Sequence, residues 1–528
     1  RHPARSIVTA PNFQVWKTHV HVALPVLPSQ VAVGALSLGM VKLEQNGAAA
    51  GQPYKPTTMF DDDEPDAELD SILRVTSSTH PASLSFEMEV QQHKQPRAKW
   101  YHAAFHSVCA VVGAGVLGLP YAISYLGWAG GLSVLTALTL ASMYTSYLLA
   151  ALHEGHDGRR LNDYQAMGRA VLGRRVAAWT VAPVQNVLLV GLCITYSVAA
   201  GQSLKGLLGA ECAGAGCAAG ITPWILGFAA LELAASQLPD IHAIWWVSLI
   251  GAAMSLAYTA IAGVVSCVDA ARGAGQGREP GPGREQSAAD AVFGVLNALG
   301  SIGFTFGGQG VLPEIQATLA VPPGQPSTLR PMMISVGVAY IVVIAAYYSV
   351  GVGGYAAYGT AVAPDVLLSL GGPVWLRRCA NAAVVAHMAA AYQVFAQPVF
   401  ALMEGAIAAR RRPAVAAVGP SVAAPAPHSA AATPRALRLA VRSGFVAAVT
   451  LVAVLVPFFA EVMGIIASLG LIPMTFVLPC VMWLVSQQPR GAERALNYAI
   501  AGGCGVLAIL ALIGSTRNVI VQLKLKHG

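Results

Sequence analysis

Residues 111–122 read Val-Val-Gly-Ala-Gly-Val-Leu-Gly-Leu-Pro-Tyr-Ala, and residues 307–313 read Gly-Gly-Gln-Gly-Val-Leu-Pro. The two stretches share Gly-x-Gly-Val-Leu, at Gly113 to Leu117 and at Gly308 to Leu312. Each lies within an apolar run long enough to cross a bilayer. Glycines followed by Pro120 and Pro313 weaken a helix there. Lipid offers no water to the freed backbone groups, so such breaks persist only where protein buries them or where they line a wet cavity. Interrupted spans at matching places in two halves point to the substrate site of a secondary transporter. Glycines that merely let helices approach would account for one Gly-x-Gly. Glycine-dense stretches running into proline in both halves favour the site reading.

The rest of the chain agrees with a membrane setting. It has 528 residues, 55% of them hydrophobic and 11% charged, with mean hydropathy +0.58. A soluble protein carries roughly 25% charged residues. The fold class expected is therefore all-α and polytopic. At a minimum of about 18–20 apolar residues per crossing, about eleven spans are predicted, at 101–126, 128–152, 177–204, 221–239, 242–268, 290–318, 331–357, 374–403, 441–460, 463–486 and 495–515. Alternate loops are richer in basic residues, among them Lys94, Arg97, Arg159, Arg160, Arg174, Arg175, Arg330, Arg410, Arg411, Arg412, Arg490 and Arg494. Those loops are expected to be cytoplasmic, and the N-terminus with them. The net charge of +7 sits in loops and is no nucleic-acid signal.

Residues 1–93 read as a disordered tail with an acidic patch at Asp61, Asp62, Asp63 and Glu64, and 94–528 as the transmembrane domain. The chain starts at Arg1, as a fragment or as a reading begun upstream of a start at Met40 or Met59. Residues 270–289 and 413–434 are expected to be unstructured connections. Cys212 and Cys217 share an external loop, where a disulfide and two free thiols both remain open. Eight cysteines in so long a chain are no disulfide scaffold.

In this topology the first and sixth spans run in opposite directions, which makes the two halves an inverted repeat. A helix broken at mid-membrane leaves N–H groups free at one new end and C=O groups at the other. The half-helix beginning near Val116 suits a carboxylate, so Gly113, Ala114, Gly115 and Val116 are candidate binding residues. The carbonyls around Phe304, Phe306, Gly307 and Gly308 suit an α-ammonium. An amino acid carries both groups, so it is the substrate expected, with the lipid bilayer as the other partner. A bulky β-branched residue at Gly115 is expected to abolish transport without preventing folding. Glu314, just past the second break, is a candidate proton acceptor or gate, with a place in the cytoplasmic interface as its plainer reading. His106, two turns before Gly113, and His387 are candidates for coupling or simply packing histidines. Glu232 reads as a scaffold residue.

No enzyme is expected. His102 with His106 and His153 with His156 have the spacing of di-iron boxes, but the other histidines are scattered. No phosphate-binding loop follows a strand, so an ATP-driven pump is unsupported. No metal and no cofactor is expected beyond a proton as coupling ion. The sequence says nothing of oligomeric state.

Several stretches carry a family resemblance. They are Lys99-Trp-Tyr-His-Ala-Ala-Phe-His106, Val111 through Ala122, Leu126-Gly-Trp128, Glu314-Ile-Gln-Ala-Thr318, Ala339-Tyr-Ile-Val-Val343, Ala396-Gln-Pro-Val-Phe400 and Leu478-Pro-Cys-Val-Met-Trp483. From about residue 99 to the end, in order, the chain resembles the plant lysine–histidine transporter-like amino acid permeases of the amino acid/auxin permease family. The resemblance implies the five-plus-five inverted-repeat fold of the bacterial leucine-transporter type, with proton-driven import of amino acids by alternating access. It places the carboxylate at Gly113, Ala114, Gly115 and Val116, and the amino group near Phe304, Phe306 and Gly307. It points to the plasma membrane, with the vacuolar membrane as the alternative. One departure stands out. Relatives usually carry His-Asn after the glycine pair of the sixth span, where this chain has Gln309-Gly310, and Gln309 does not titrate near neutral pH. A carrier for auxin or another aromatic acid, a non-transporting amino-acid sensor and a channel are the competing readings.

Overall fold

A computed structural model describes residues 98–155, 160–208, 220–237, 244–273, 287–321, 327–411 and 435–527. The tail 1–93, Cys212, Cys217, His156, the stretch 413–434 and most of 270–289 lie outside them. The described residues are nearly all helical. In order the helices are α1 (Trp100–Val111), α2 (Gly115–Leu152), α3 (Tyr164–Leu172), α4 (Arg174–Trp179), α5 (Val181–Leu208), α6 (Thr222–Ala235), α7 (Ile244–Ala271) and α8 (Ala288–Phe304). There follow α9 (Leu312–Ala317), α10 (Leu329–Tyr358), α11 (Val374–Arg411), α12 (Arg435–Leu455), α13 (Phe459–Ile466), α14 (Leu478–Gln487) and α15 (Gly491–His527).

Among the described residues, nine helical stretches are long and apolar enough to cross a membrane. Gly127, at φ 69, divides α2 into two helices, and α6 is a shorter apolar helix. Each expected span therefore falls on helix. Span 1 is α1 with α2 up to Gly127, and span 2 is the rest of α2. Span 3 is α4 and α5, span 4 is α6, span 5 is α7, and span 6 is α8 with α9. Spans 7, 8 and 9 are α10, α11 and α12, span 10 is α13 with α14, and span 11 is α15. One boundary moves. Span 9 ends at Leu455 rather than near 460, because Pro457 follows and disfavours helix in the residue before it.

Both expected breaks are present. α1 stops at Val111, Val112 is extended (φ −80, ψ 93), and α2 begins at Gly115. α8 stops at Phe304, and a 3-10 turn, Gly307–Val311, precedes α9. Span 10 is irregular as well, with wide π turns at Ala467–Leu471 and Pro473–Val477. Such turns concentrate where helices do functional work.

The packing has a five-plus-five repeat. Exchanging each span n with n + 5 turns the observed neighbours into observed neighbours. Span 1 packs on span 7 through α1, and span 6 packs on span 2 through α9. Span 5 packs on span 8, and span 10 on span 3. Span 3 packs on span 4, and span 8 on span 9. Spans 3 and 8 pack on each other, as do spans 4 and 9. Span 11 lies outside the repeat and covers spans 6 and 10. The near end of the bundle is the one where span 1 begins, and the far end is the one where it finishes.

Candidate substrate site

The two breaks meet back to back. A Cβ on Gly115 would stand 2.9 Å from Thr305 Cα and 3.1 Å from the Phe304 ring. A Cβ on Gly308 would run into Val111 Cγ2 and stand 3.0 Å from the Val111 backbone nitrogen. Each break thus carries a glycine seated against the chain of the other break. Without Cβ atoms the two backbones come close enough to form one site.

Of the four backbone N–H groups expected to be free at the first break, that of Val116 is occupied. The Val116 N–H turns back to Gly113 O at 3.4 Å, and the Leu117 N–H to Ala114 O at 3.1 Å. The N–H groups of Gly113, Ala114 and Gly115 have no acceptor among the described residues. Free donors therefore belong to Gly113, Ala114 and Gly115, not to Val116. Gly113 is half-buried, and a Cβ there would meet only the Tyr196 hydroxyl, at 3.9 Å. That is open space at the N-terminus of a half-helix.

The other break is tied by hydroxyls. Tyr347, on α10, donates to Val111 O at 2.8 Å and lies against Thr305 O. Thr475, in the second π turn, donates to Phe306 O at 3.2 Å. Phe304 and Phe306 are buried, Phe306 edge-on to Tyr347 and Phe476. Gly307 is half-buried, and a Cβ there would strike Leu471 of the first π turn.

The coupling candidates fall in different places. Gln309 is buried at the break, its amide among Ser142 Oγ, Ser146 Oγ at 3.4 Å and Tyr340 OH at 2.8 Å. Beside it lies a cavity of about 10 Å³ bounded by Ser107, Gly308 and Tyr340, roughly the room one water needs. Ser107 Oγ and Gln309 Oε1 have no partner among the described residues. His387 is buried, with Nδ1 2.8 Å from Gly251 O and Nε2 unpartnered. Its ring stands between Tyr196 (6.4 Å) and Tyr258 (5.7 Å), so it reaches the open side of Gly113 through Tyr196. His106 is exposed on α1, its ring edge-on to Phe105. Glu314 is half-buried in the first turn of α9, three residues beyond the 3-10 turn, with Oε2 shielded and unpartnered. Glu232 accepts from Gln393 at 2.6 Å between spans 4 and 8, away from the breaks.

Sequence reasoning missed Tyr196, Tyr347 and the Ser142–Ser146–Tyr340 set. A signal existed: Tyr340, Tyr347 and Tyr355 recur every seven or eight residues, one helix face along span 7. Replacing Gln309 by Leu is expected to strand the buried hydroxyls around it and lower stability by about 1–3 kcal/mol, read as a fall in Tm in detergent. An unchanged Tm would mean the network contributes nothing.

At the near end a latch holds span 6 to spans 1, 2 and 7. Ala98 pairs in a parallel bridge with Leu319, through Ala98 N to Thr318 O (3.2 Å) and Ala320 N to Ala98 O (3.1 Å). Glu154 accepts from Thr328 N (2.8 Å) and Thr328 Oγ1 (2.5 Å) and faces Gln316 Nε2 at 3.5 Å. Burial opposes the charge of Glu154, but His153 and the Thr328 donors outweigh it and draw the carboxyl down to about 2. The latch thus stays charged at any physiological pH. Removing it with Glu154→Ala is expected to expose the site from the near end. Thiol labelling of half-buried Cys109 would then rise several-fold, and unchanged labelling would show the latch idle.

A family model described as transmembrane amino acid transporter protein matches residues 96–521. The chain belongs to that family. It is 33% identical to Lysine histidine transporter-like 1 of Arabidopsis thaliana over 467 residues, covering 88% of this chain and 94% of the relative. It is 37% identical to Lysine histidine transporter-like 6 of the same plant, covering 80% and 92%, and 32% identical to its Amino acid permease 2, covering 80% and 88%. A solved structure of MhsT in complex with L-phenylalanine is 14% identical, with a TM-score of 0.46 over 79% of this chain and 100% of that one. The relatives are transporters and permeases by name, not enzymes, and the protein is an integral membrane protein.

Proposed function

We propose that the protein imports amino acids by proton symport with alternating access. The observation that carries this reading is the meeting of the two broken spans. The N–H groups of Gly113, Ala114 and Gly115 have no acceptor among the described residues, and Gly113 has room on the side of Tyr196. The carbonyl end of α8 lies against them across Gly115. A carboxylate fits the first and an α-ammonium the second, so backbone alone recognises what all amino acids share. Tyr196 borders the open side of Gly113, with the His387–Tyr258 pair behind it.

In this reading the near end is cytoplasmic, following the basic loops, and the plasma membrane is the home membrane. The Glu154 latch closes the inner side, and the bundle of spans 1 and 6 rocks between inward and outward states. The energetics suffice. One charge crossing about 100 mV yields about 2.3 kcal/mol, and one pH unit about 1.4 kcal/mol. Together they support accumulation of a few hundred-fold at about 1.4 kcal/mol per tenfold.

The test is current in oocytes expressing the full chain, at pH 5.5 and 7.5, across neutral, basic and acidic amino acids. A saturable inward current, larger at pH 5.5, is expected. Surface expression with neither current nor radiolabel uptake would overturn the proposal.

A further inference from the structure

The segment after span 7 is partly buried. It turns back into the bundle as a short 3-10 turn, Val366–Leu368, headed by Asp365. Val366, Leu367 and Leu370 are buried, and Pro364 O is 3.8 Å from where a Cβ on Gly118 would stand. Gly118 is one turn beyond the start of α2, so this loop closes the break from the far side. Above it, a cleft of about 520 Å³ is lined by Gln202, Lys205, Leu368 and Pro457. Asp269 pins the loop by accepting from Gly371 N (3.0 Å) and Tyr358 OH (2.7 Å).

Asp365 is 1% exposed, an unusual place for a carboxyl. Its Oδ1 accepts from Leu367 N at 2.9 Å. It has no cation within ion-pair distance among the described residues. Of the helices packed on this turn, α2 offers Tyr121 and no charge at that level. α11 offers Arg377 and Arg378 at its start and His387 further in. From α7, Tyr258 lies within the field of Asp365. The Tyr258 hydroxyl is buried, with no partner in hydrogen-bond geometry among the described residues, and so is His387 Nε2 in the ring that Tyr258 contacts. Polar groups thus run inward from Asp365 through Tyr258 and His387 to Tyr196, beside Gly113.

We infer that Asp365 is the site at which the coupled proton loads from outside, and that the outer loop closes over the substrate once Asp365 is neutral. The inference rests on the proton-symport reading and names the residue that carries it out. Open to water, the carboxyl has the ordinary value near 4. Burial on closure pushes it up to about 7. The closed form therefore takes up a proton between these values. Its stabilisation is complete below the ordinary value and is lost as pH rises through about 7. The inner latch, held by Glu154 at about 2, does not titrate in this window. Asymmetry of this kind lets external acidity close the outer gate without locking the inner one.

The experiment compares wild type, Asp365→Asn and Asp365→Glu in oocytes, with radiolabel uptake and current recorded together. Asn keeps the acceptor for Leu367 N, so the turn should form, and surface labelling verifies expression. For wild type, apparent affinity should rise roughly twenty-fold from pH 7.5 to 5.5, with one charge per neutral substrate. Asp365→Asn should move substrate with no accompanying current and a flat pH profile, and Asp365→Glu should restore both. If Asp365→Asn keeps the pH profile and the charge ratio, Asp365 merely caps the turn and the inference falls. If wild type carries substrate without current or pH dependence, the symport reading falls, and this inference with it.

Discussion

Gly113→Leu is expected to abolish amino-acid uptake in a protein that still folds, whereas Gly115→Val is expected to lose both uptake and stability. A Cβ at Gly113 finds only the Tyr196 hydroxyl, at 3.9 Å. The new side chain enters the space beside Gly113, where the proposed carboxylate would sit, and displaces no backbone. At Gly115 the obstacle is the other break: Thr305 Cα at 2.9 Å, Thr305 Cγ2 at 3.0 Å and Phe304 Cδ1 at 3.1 Å. Main-chain atoms cannot rotate aside as a side chain can. Spans 1 and 6 must separate, and overpacking of this sort costs about 1–3 kcal/mol or more. Sequence alone suggests that a β-branched residue at Gly115 would spare folding, and the contact with Thr305 reverses that expectation. Thermal melts of purified variants and uptake normalised to surface expression distinguish the two effects. Normal uptake by Gly113→Leu would remove the carboxylate site. A wild-type Tm for Gly115→Val would show that the two spans are not pressed together.

What the sequence revealed was local. A run of about twenty apolar residues declares a span by its own length, and Gly113, Gly115, Gly308 and Gly310 beside Pro120 and Pro313 declare a break by their own propensities. The repeat was legible because the same phrase recurs in the other half. What the sequence hid was pairing at a distance. Tyr347 is 236 residues from the Val111 carbonyl it caps, and nothing near either residue announces the bond. The glycines could be read as breaks, but which one faces open space and which one faces Thr305 depends on how two spans cross. Nothing in the sequence singles out Asp365, because only the fold brings Pro364 beside Gly118 and buries Val366, Leu367 and Leu370. His106 shows the converse. Its spacing suggested a face shared with Gly113, yet α1 ends at Val111, Val112 is extended, and the His106 side chain is exposed.

Tyr347→Phe is expected to lower uptake more than tenfold and to weaken discrimination between an amino acid and its deaminated analogue. The side chain is 1% exposed, and its ring meets Phe306 at 5.5 Å, a contact that Phe retains. Only the hydroxyl is lost. That hydroxyl lies on Val111 O and Thr305 O, the carbonyl ends of α1 and α8. Two negative helix ends point at one O–H, which holds them at a fixed separation. Without it, two buried carbonyls lack a donor, at about 1–3 kcal/mol each. They can recover only by turning toward water, a ligand or each other's neighbours. Any such turn moves Phe304, Thr305 and Phe306, the backbone proposed to meet the α-ammonium. A loss of about 1.4 kcal/mol at that contact is a tenfold loss of preference for the aminated ligand. Competition by the deaminated analogue is therefore the decisive measurement, since general destabilisation would weaken both ligands alike. If Tyr347→Phe keeps its preference while losing stability, Tyr347 is only a clamp between two spans. The ammonium then meets the protein somewhere other than the end of α8.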